Sequence, residues 1–172
     1  MKKLLFPSLL LFVCFCVSCN QQSGMSDKAK KNLETAQAVA KMFESHDWRK
    51  IGNYIAADGV DHSGPRGEVK GLDSIKAEFN EFGSMMSDSK METVKELADD
   101  DYVFQWMKES WTATKDGMGM KAGQKMSMDA IEVSKFNSDG KVTDHWSFIS
   151  TNDMMKMMPM PQGNMGMDTT RH

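Results

Sequence analysis

Lys125-Met126-Ser127-Met128-Asp129-Ala130-Ile131-Glu132-Val133-Ser134-Lys135-Phe136, then Asn137-Ser138-Asp139-Gly140, then Lys141-Val142-Thr143-Asp144-His145-Trp146-Ser147-Phe148-Ile149 is the stretch that decides the fold. It reads as two strands joined by a tight turn, with Asp139-Gly140 supplying the positive φ that a short hairpin needs. Side chains alternate along a strand, so Asp144, Trp146 and Phe148 share one face and Thr143, His145 and Ser147 the other. An acid beside an indole can line a pocket, and the Asp144 face is expected to do so.

Upstream, the hydrophobic period changes. Ser26 or Asp27 can cap a helix to about Ser45, with Leu33, Ala36, Ala40 and Phe43 at spacings of three and four. A second short helix is expected from about Asp47, with Trp48, Ile51 and Ile55 on its inner face. Val60-Asp61-His62 reads as a short strand, and a third helix spans about Leu72 to Phe82. Lys90 to Ala98, Tyr102 to Thr114, Lys125 to Phe136 and Lys141 to Ile149 read as strands. Three helices followed by an antiparallel meander predict an α+β domain with the helices on one face of a curved sheet.

The ends differ from this middle. Met1-Lys2-Lys3 is a basic start, and Leu4 to Val17 is apolar but too short to span a bilayer, which needs about 20 residues. It fits a secretory signal. The three cysteines sit at positions 14, 16 and 19, so the chain beyond holds none and is not a disulfide-stapled domain. Cys16-Val17-Ser18-Cys19 resembles a relaxed bacterial lipobox, with Cys16 where leucine is commoner. That resemblance implies lipidation of Cys19, residues 1–18 as signal peptide, residues 19–27 as a polar tether, and a lipid anchor holding the protein to a membrane of the cell envelope. Removing residues 1–18 takes away Lys2 and Lys3 and no acid, leaving a formal charge of −5. With no basic cluster, nucleic-acid binding has no electrostatic support.

Several strings, in order, resemble the SnoaL-like branch of the nuclear-transport-factor-2-like superfamily. Tyr54 through His62 is similar to its helix-to-strand segment ending in histidine, and Gly71-Leu72-Asp73-Ser74-Ile75-Lys76 to the start of its third helix. Met120 through Lys125 resembles the loop before the penultimate strand, and Phe136 through Trp146 its closing hairpin. The resemblance covers about residues 28–151. It implies a cone: three N-terminal helices packed on a curved mixed or antiparallel sheet around a pocket. It also implies a small-molecule ligand and, in the family's cyclases, an aspartate general acid/base with a histidine nearby. The family often carries an aspartate a few residues past the tryptophan. Here Ser147-Phe148-Ile149-Ser150 intervenes before Asp153.

On this reading Asp144, His62 and Asp129 are the expected acid–base residues. A histidine beside Asp61 can shuttle protons near neutral pH, and desolvation would raise the pKa of a pocket aspartate. Tyr54, Trp106, Met128, His145, Trp146 and Phe148 are expected around the ligand, with Tyr102, Phe104 and Trp106 as an aromatic stripe and Trp111 on the opposite face. No cofactor and no metal ligand set is expected. Met is unusually frequent, 18 of 172 residues, with seven between Met154 and Met167. Residues 152–172 are expected to be a flexible Met-rich tail. Soft thioethers suit Cu(I), so copper handling through that tail is one alternative function. A homodimer through the open sheet face is another.

Overall fold

The computed structural model describes residues 24–64 and 66–157. The signal segment, Cys19 and most of the Met-rich tail lie outside the described residues. Among the described residues no helix is long and apolar enough to cross a membrane.

The chain runs α1 (Asp27–Ser45), β1 (Ile55–Asp61), β2 (Val69–Lys70), α2 (Leu72–Gly83), β3 (Met86–Ala98), β4 (Tyr102–Ala113), β5 (Lys125–Phe136), β6 (Val142–Ile149) and α3 (Thr151–Met157). The strands form one sheet in the order β2-β1-β6-β5-β4-β3. Every pair is antiparallel except β1 with β6, so the sheet is mixed. A parallel neighbour requires a long crossover. Here α2 and the β3–β5 meander supply it.

Ser26 caps α1, its hydroxyl accepting from the Ala29 amide at 2.9 Å. Gly140 adopts φ 74° in the β5–β6 turn, as its place after Asp139 predicts. A Cβ there would also lie 2.9 Å from Lys31 Cε of α1.

The expected second helix is only a 3₁₀ turn, Ile51–Asn53, and Ile55 already belongs to β1. Trp48 and Ile51 are buried as expected, but the polypeptide between them and Gly59 is too short for a packed α-helix once β1 claims its share. Two helices therefore precede the meander, and a third, α3, follows β6. The beginning of the expected loose tail is thus helical, with Ser150 Oγ accepting from the Asp153 amide at 3.0 Å.

The core has two apolar bodies. Ala36, Trp48, Ile51, Ile55, Ile75, Phe79, Val103, Phe136 and Val142 form the first. Met86, Trp111, Ala113, Met120 and Met126 form the second, flanked by Phe82 and Met128. Between them, the inner faces of β4 and β5 carry polar residues: Gln105 and Glu109 on one strand, Glu132 and Ser134 on the other.

Candidate functional site inside the cone

Strand phase decides which side chains face inward. On β4 the buried positions are Val103, Gln105, Met107, Trp111 and Ala113, while Phe104 and Trp106 are exposed. The register Phe104–Val133–Trp146 and Trp106–Ile131–Phe148 then puts Trp146 and Phe148 on the outer face with them. The inward face of β6 is the one carrying His145 and Ser147. The expected phase was the reverse. Both faces of these strands hold large apolar residues, so alternation alone could not say which one the helices cover.

The parallel pairing of β1 with β6 sets Asp61 opposite His145. Glu132 is opposite Ser147 on β5, and Glu109 follows Gln105 and Met107 on the inward face of β4. His145 Nε2 lies 2.9 Å from Glu132 Oε2, and its Nδ1 lies 3.4 Å from Asp61 Oδ1. The latter is an ion-pair contact without hydrogen-bond alignment, although Nδ1 is sealed from solvent. Asp61 also accepts from the Ser63 amide at 2.8 Å, and Ser147 Oγ donates to Glu132 Oε1 at 2.7 Å. Asp61 and Ser134 are buried, and with His145 they line a cavity of about 30 Å³ closed by Val39, Phe43, Ile75 and Phe79. That is room for about one water.

The electrostatics follow from burial and pairing. Burial works to neutralise His145, but Asp61 and Glu132 outweigh it, and its pKa is pushed up to about 10. Burial likewise pushes Asp61 upward, and His145 and the Ser63 amide together bring it below the usual carboxylate value. Glu109 is pushed up to about 8, chiefly by burial, then by the negative charge of Glu132 and a shared hydrogen bond with it. At neutral pH the cone thus holds an imidazolium among carboxyls, with a neutral carboxylic acid as one of them. An imidazolium and a protonated acid can both donate to an oxygen on which charge develops, and a neighbouring carboxylate can accept a proton.

The expected residues fall in two groups. His62, Asp144 and Trp146 come together, but on the outer face. His62 Nδ1 meets Glu68 at 2.8 Å and Nε2 meets Asp144 at 3.1 Å, while its ring stacks on Trp146 with centroids 4.6 Å apart and planes 6° from parallel. The hydrogen bond to Asp144, then that to Glu68, raises the His62 pKa. Burial would raise Asp144, but His62, Thr143 and Lys135 win and lower it, the opposite of the expected desolvated acid. Asp129 is exposed and sits opposite Lys108. Trp106 (45 % exposed) and Phe148 (57 %) are on the outer surface, not at a pocket wall. Tyr54 is half-buried just before β1 and touches neither cluster in any polar contact. Met128 and His145 do face inward. Glu109 and Glu132 were not anticipated. Their signal was phase: Glu109 is in step with Val103, Met107 and Trp111 on β4, and Glu132 with Met126, Met128, Ala130 and Phe136 on β5.

Among the described residues no group of three or more His, Cys, Asp or Glu is arranged to hold a metal ion.

Comparisons agree with this architecture. The structure resembles a SnoaL-like protein from Jannaschia sp. CCS1 with TM-score 0.70 at 13 % identity, covering 80 % of this chain and 98 % of that one. It resembles a SnoaL-like polyketide cyclase from Agrobacterium tumefaciens with TM-score 0.60 at 12 % identity, over 73 % and 95 %. It also resembles a Mycobacterium tuberculosis LEH-like epoxide hydrolase with TM-score 0.62 at 12 % identity, over 76 % and 90 %. These likenesses are to the fold. No curated protein matches the chain significantly in sequence. The sequence model of the SnoaL-like polyketide cyclases matches residues 33–158. By that match, carried on a mixed-sheet cone with a charged interior, the chain belongs to the SnoaL-like polyketide cyclase family.

Proposed function

We propose that this chain is a lipid-anchored protein of the bacterial envelope whose cone binds a small, mostly apolar molecule and moves a proton on it. His145 and Glu109 are the donors toward an oxygen of that molecule. Glu132 or Asp61 accepts the proton taken from it, which gives isomerase, cyclase or hydrolase-type chemistry without a cofactor. The observation that carries the reading is the Asp61–His145–Glu132 line, 3.4 and 2.9 Å long, with Glu109 beside it on the inward face of the sheet. Such a buried charge cluster costs stability unless every member is paired, and strongly perturbed groups gather where chemistry is done. The test is native mass spectrometry of the protein purified from its own envelope. A co-purifying organic mass should survive Trp146→Ala and disappear in His145→Ala. Loss in the outer-face variant alone would reject the inner site. Anchoring is tested by Cys19→Ala, which should release the protein from the membrane; unchanged attachment would reject the lipoprotein reading.

A second reading has its own observation. Leu97, Phe104, Trp106, Ile131 and Phe148 are all exposed and lie on the outer face of four adjacent strands. A patch of this extent on a lone domain marks an interface, and we infer that two copies meet there. Sedimentation should give the mass of a dimer, and Trp106→Lys the mass of a monomer. A monomeric wild type would dismiss it.

A further inference from the structure

His62 holds an acid on each ring nitrogen, and the two acids belong to different elements. Nδ1 meets Glu68, the residue just before the edge strand β2, at 2.8 Å, and Nε2 meets Asp144 of β6 at 3.1 Å. Only an imidazolium has two N–H groups to donate; a neutral ring has one donor and one lone pair. A neutral His62 therefore keeps one of these acids and turns a lone pair toward the other. Stacking on Trp146 holds the ring in the plane between them.

The surroundings decide which acid the neutral ring releases. Asp144 is the more buried, its side chain 26 % exposed against 49 % for Glu68. It also keeps Thr143 Oγ1 at 3.0 Å and Lys135 Nζ of β5 at 3.8 Å. The other partner of Glu68 is Lys70, at 3.1 Å, on the same short strand. Asp61, beside His62 on β1, is turned inward to His145 and contributes only its charge. The proton of the neutral ring therefore stays on Nε2, toward Asp144, and Glu68 swings into water.

Glu68 is the side-chain tie of a corner that is otherwise lightly held. β2 pairs with β1 over Val60–Lys70 and Asp61–Val69 alone. Gly71 then turns the chain at φ 86°, its amide donating to Gly59 O at 2.8 Å, and α2 starts at Leu72 without a side-chain cap. Arg66 is fastened to α2, through Glu81 at 3.2 and 2.8 Å, and not to the sheet. One side of α2 lays Ile75 and Phe79 over the cavity beside Asp61 and His145. The other side lines an open groove of about 490 Å³ with Ser74, Glu78 and Glu81, and Glu68 and Lys70 form its opposite wall. Glu78 stands between groove and cavity. Burial first, and then the charge of Asp61, raise its pKa. Once ionised it pushes against Asp61, so the corner carries a repulsion that the His62 bridge holds down.

We propose that His62 is a pH-operated clasp on the β2–α2 corner. Charged, it ties Glu68 to Asp144 and keeps the groove apart from the cavity. Neutral, it frees Glu68, the corner lifts, and water in the groove reaches Asp61 and His145. The sign follows from the pairing. The hydrogen bond to Asp144, then that to Glu68, raises the His62 pKa. The clasp is therefore complete below about pH 6.5, the ordinary histidine value, and is lost as pH rises through the raised one. The device lies on the outer face and acts whether or not the cone holds a ligand.

The experiment is amide hydrogen exchange of the purified protein, read by NMR from pH 6 to 9.5 with the His62 ring titrated in the same samples. Each rate is divided into that of an unstructured peptide at the same pH. Gly71 reports on β2, and Ile75, whose amide bonds to Gly71 O at 3.0 Å, reports on the first turn of α2. Val103, fully buried in β4, is the reference for global opening, which Glu109 also makes pH-dependent. Relative to Val103, protection of Gly71 and Ile75 should fall about threefold to tenfold as His62 loses its proton, the range of one net hydrogen bond. Glu68→Gln separates a switch from a strut. A glutamine can donate to the neutral Nδ1 or accept from the charged one, so this variant should keep its protection at every pH. Protection in the wild type that stays level while His62 titrates would overturn the clasp, as would a His62 still charged at pH 9.5. A Glu68→Gln protein that loosens with pH as the wild type does would overturn it too.

Discussion

Glu109→Gln turns the buried acid cluster into a stability measurement. In the native cone the Glu109 carboxyl is displaced from 4.5 to about 8. Each tenfold change in proton affinity is worth about 1.4 kcal/mol, so the strain of ionising this side chain has an upper limit of about 5 kcal/mol. The charge of Glu132 and the hydrogen bond to it supply part of that displacement, so the figure is a ceiling on the cost at Glu109. The sign follows from linkage. Below about pH 4.5 both folded and unfolded chains hold the proton, and the group contributes nothing to pH dependence. As pH rises from there to about 8 the unfolded chain releases it and the folded chain does not, so stability falls. Glutamine mimics the neutral acid and cannot ionise. Wild type and Glu109→Gln should therefore be similar near pH 4.5 and diverge steadily, with the variant more stable by a few kcal/mol at pH 8.5. Urea unfolding at four or five pH values reads this directly. Parallel stability curves across that range would refute the claim that Glu109 is buried as a neutral acid.

Further outcomes follow from the same geometry. His145→Ala removes the cation between Asp61 and Glu132, and should cost about 3 kcal/mol at pH 7, the low end for breaking a buried pair because the side chain keeps a quarter of its exposure; a loss below about 1 kcal/mol in urea unfolding would count against the pairing. Asp144→Asn should lower the His62 pKa toward its ordinary value, seen in its ring proton shifts, without changing the His145 signals inside the cone; a change in the His145 signals would mean the two faces communicate. Gly140→Ala must place a Cβ at φ 74° and 2.9 Å from Lys31 Cε, which should cost about 1–2 kcal/mol; an unchanged melting temperature would mean the turn relaxes freely.

Much of the fold was legible because it rests on local chemistry. The first helix shows its cap and its apolar stripe, the Asp139-Gly140 turn shows the closing hairpin, and the length of the meander shows the sheet. The second helix failed because Trp48 is buried against Phe43 and Phe79 and Ile51 lies in the same apolar body, not because of helical periodicity; the Phe43 and Trp48 rings meet edge-on at 4.7 Å. The site was half legible. Asp144, His62 and Trp146 do assemble, as their types suggested, but on the solvent side. What assigns the faces is the β1–β6 parallel register, which puts Asp61 against His145 across 83 residues of intervening chain. No short-range signal carries that pairing. Asp129 and Glu132 are three positions apart on one strand, and only the phase of the strand makes one a surface acid and the other a partner of the buried imidazole.

The most direct measurement of the central claim is a pH titration of the ring nitrogens of His145 by NMR, from pH 6 to 11, in the unliganded protein. Burial opposes the charge, and Asp61 and Glu132 sustain it to about pH 10. The expected result is an imidazolium spectrum throughout the neutral range, lost only near pH 10, with global stability declining from about pH 6.5 upward as the unfolded chain gives up the proton first. A His145 that turns neutral near pH 6.5 would mean the carboxyls do not hold it charged, and the acid–base cluster inside the cone would not exist as described.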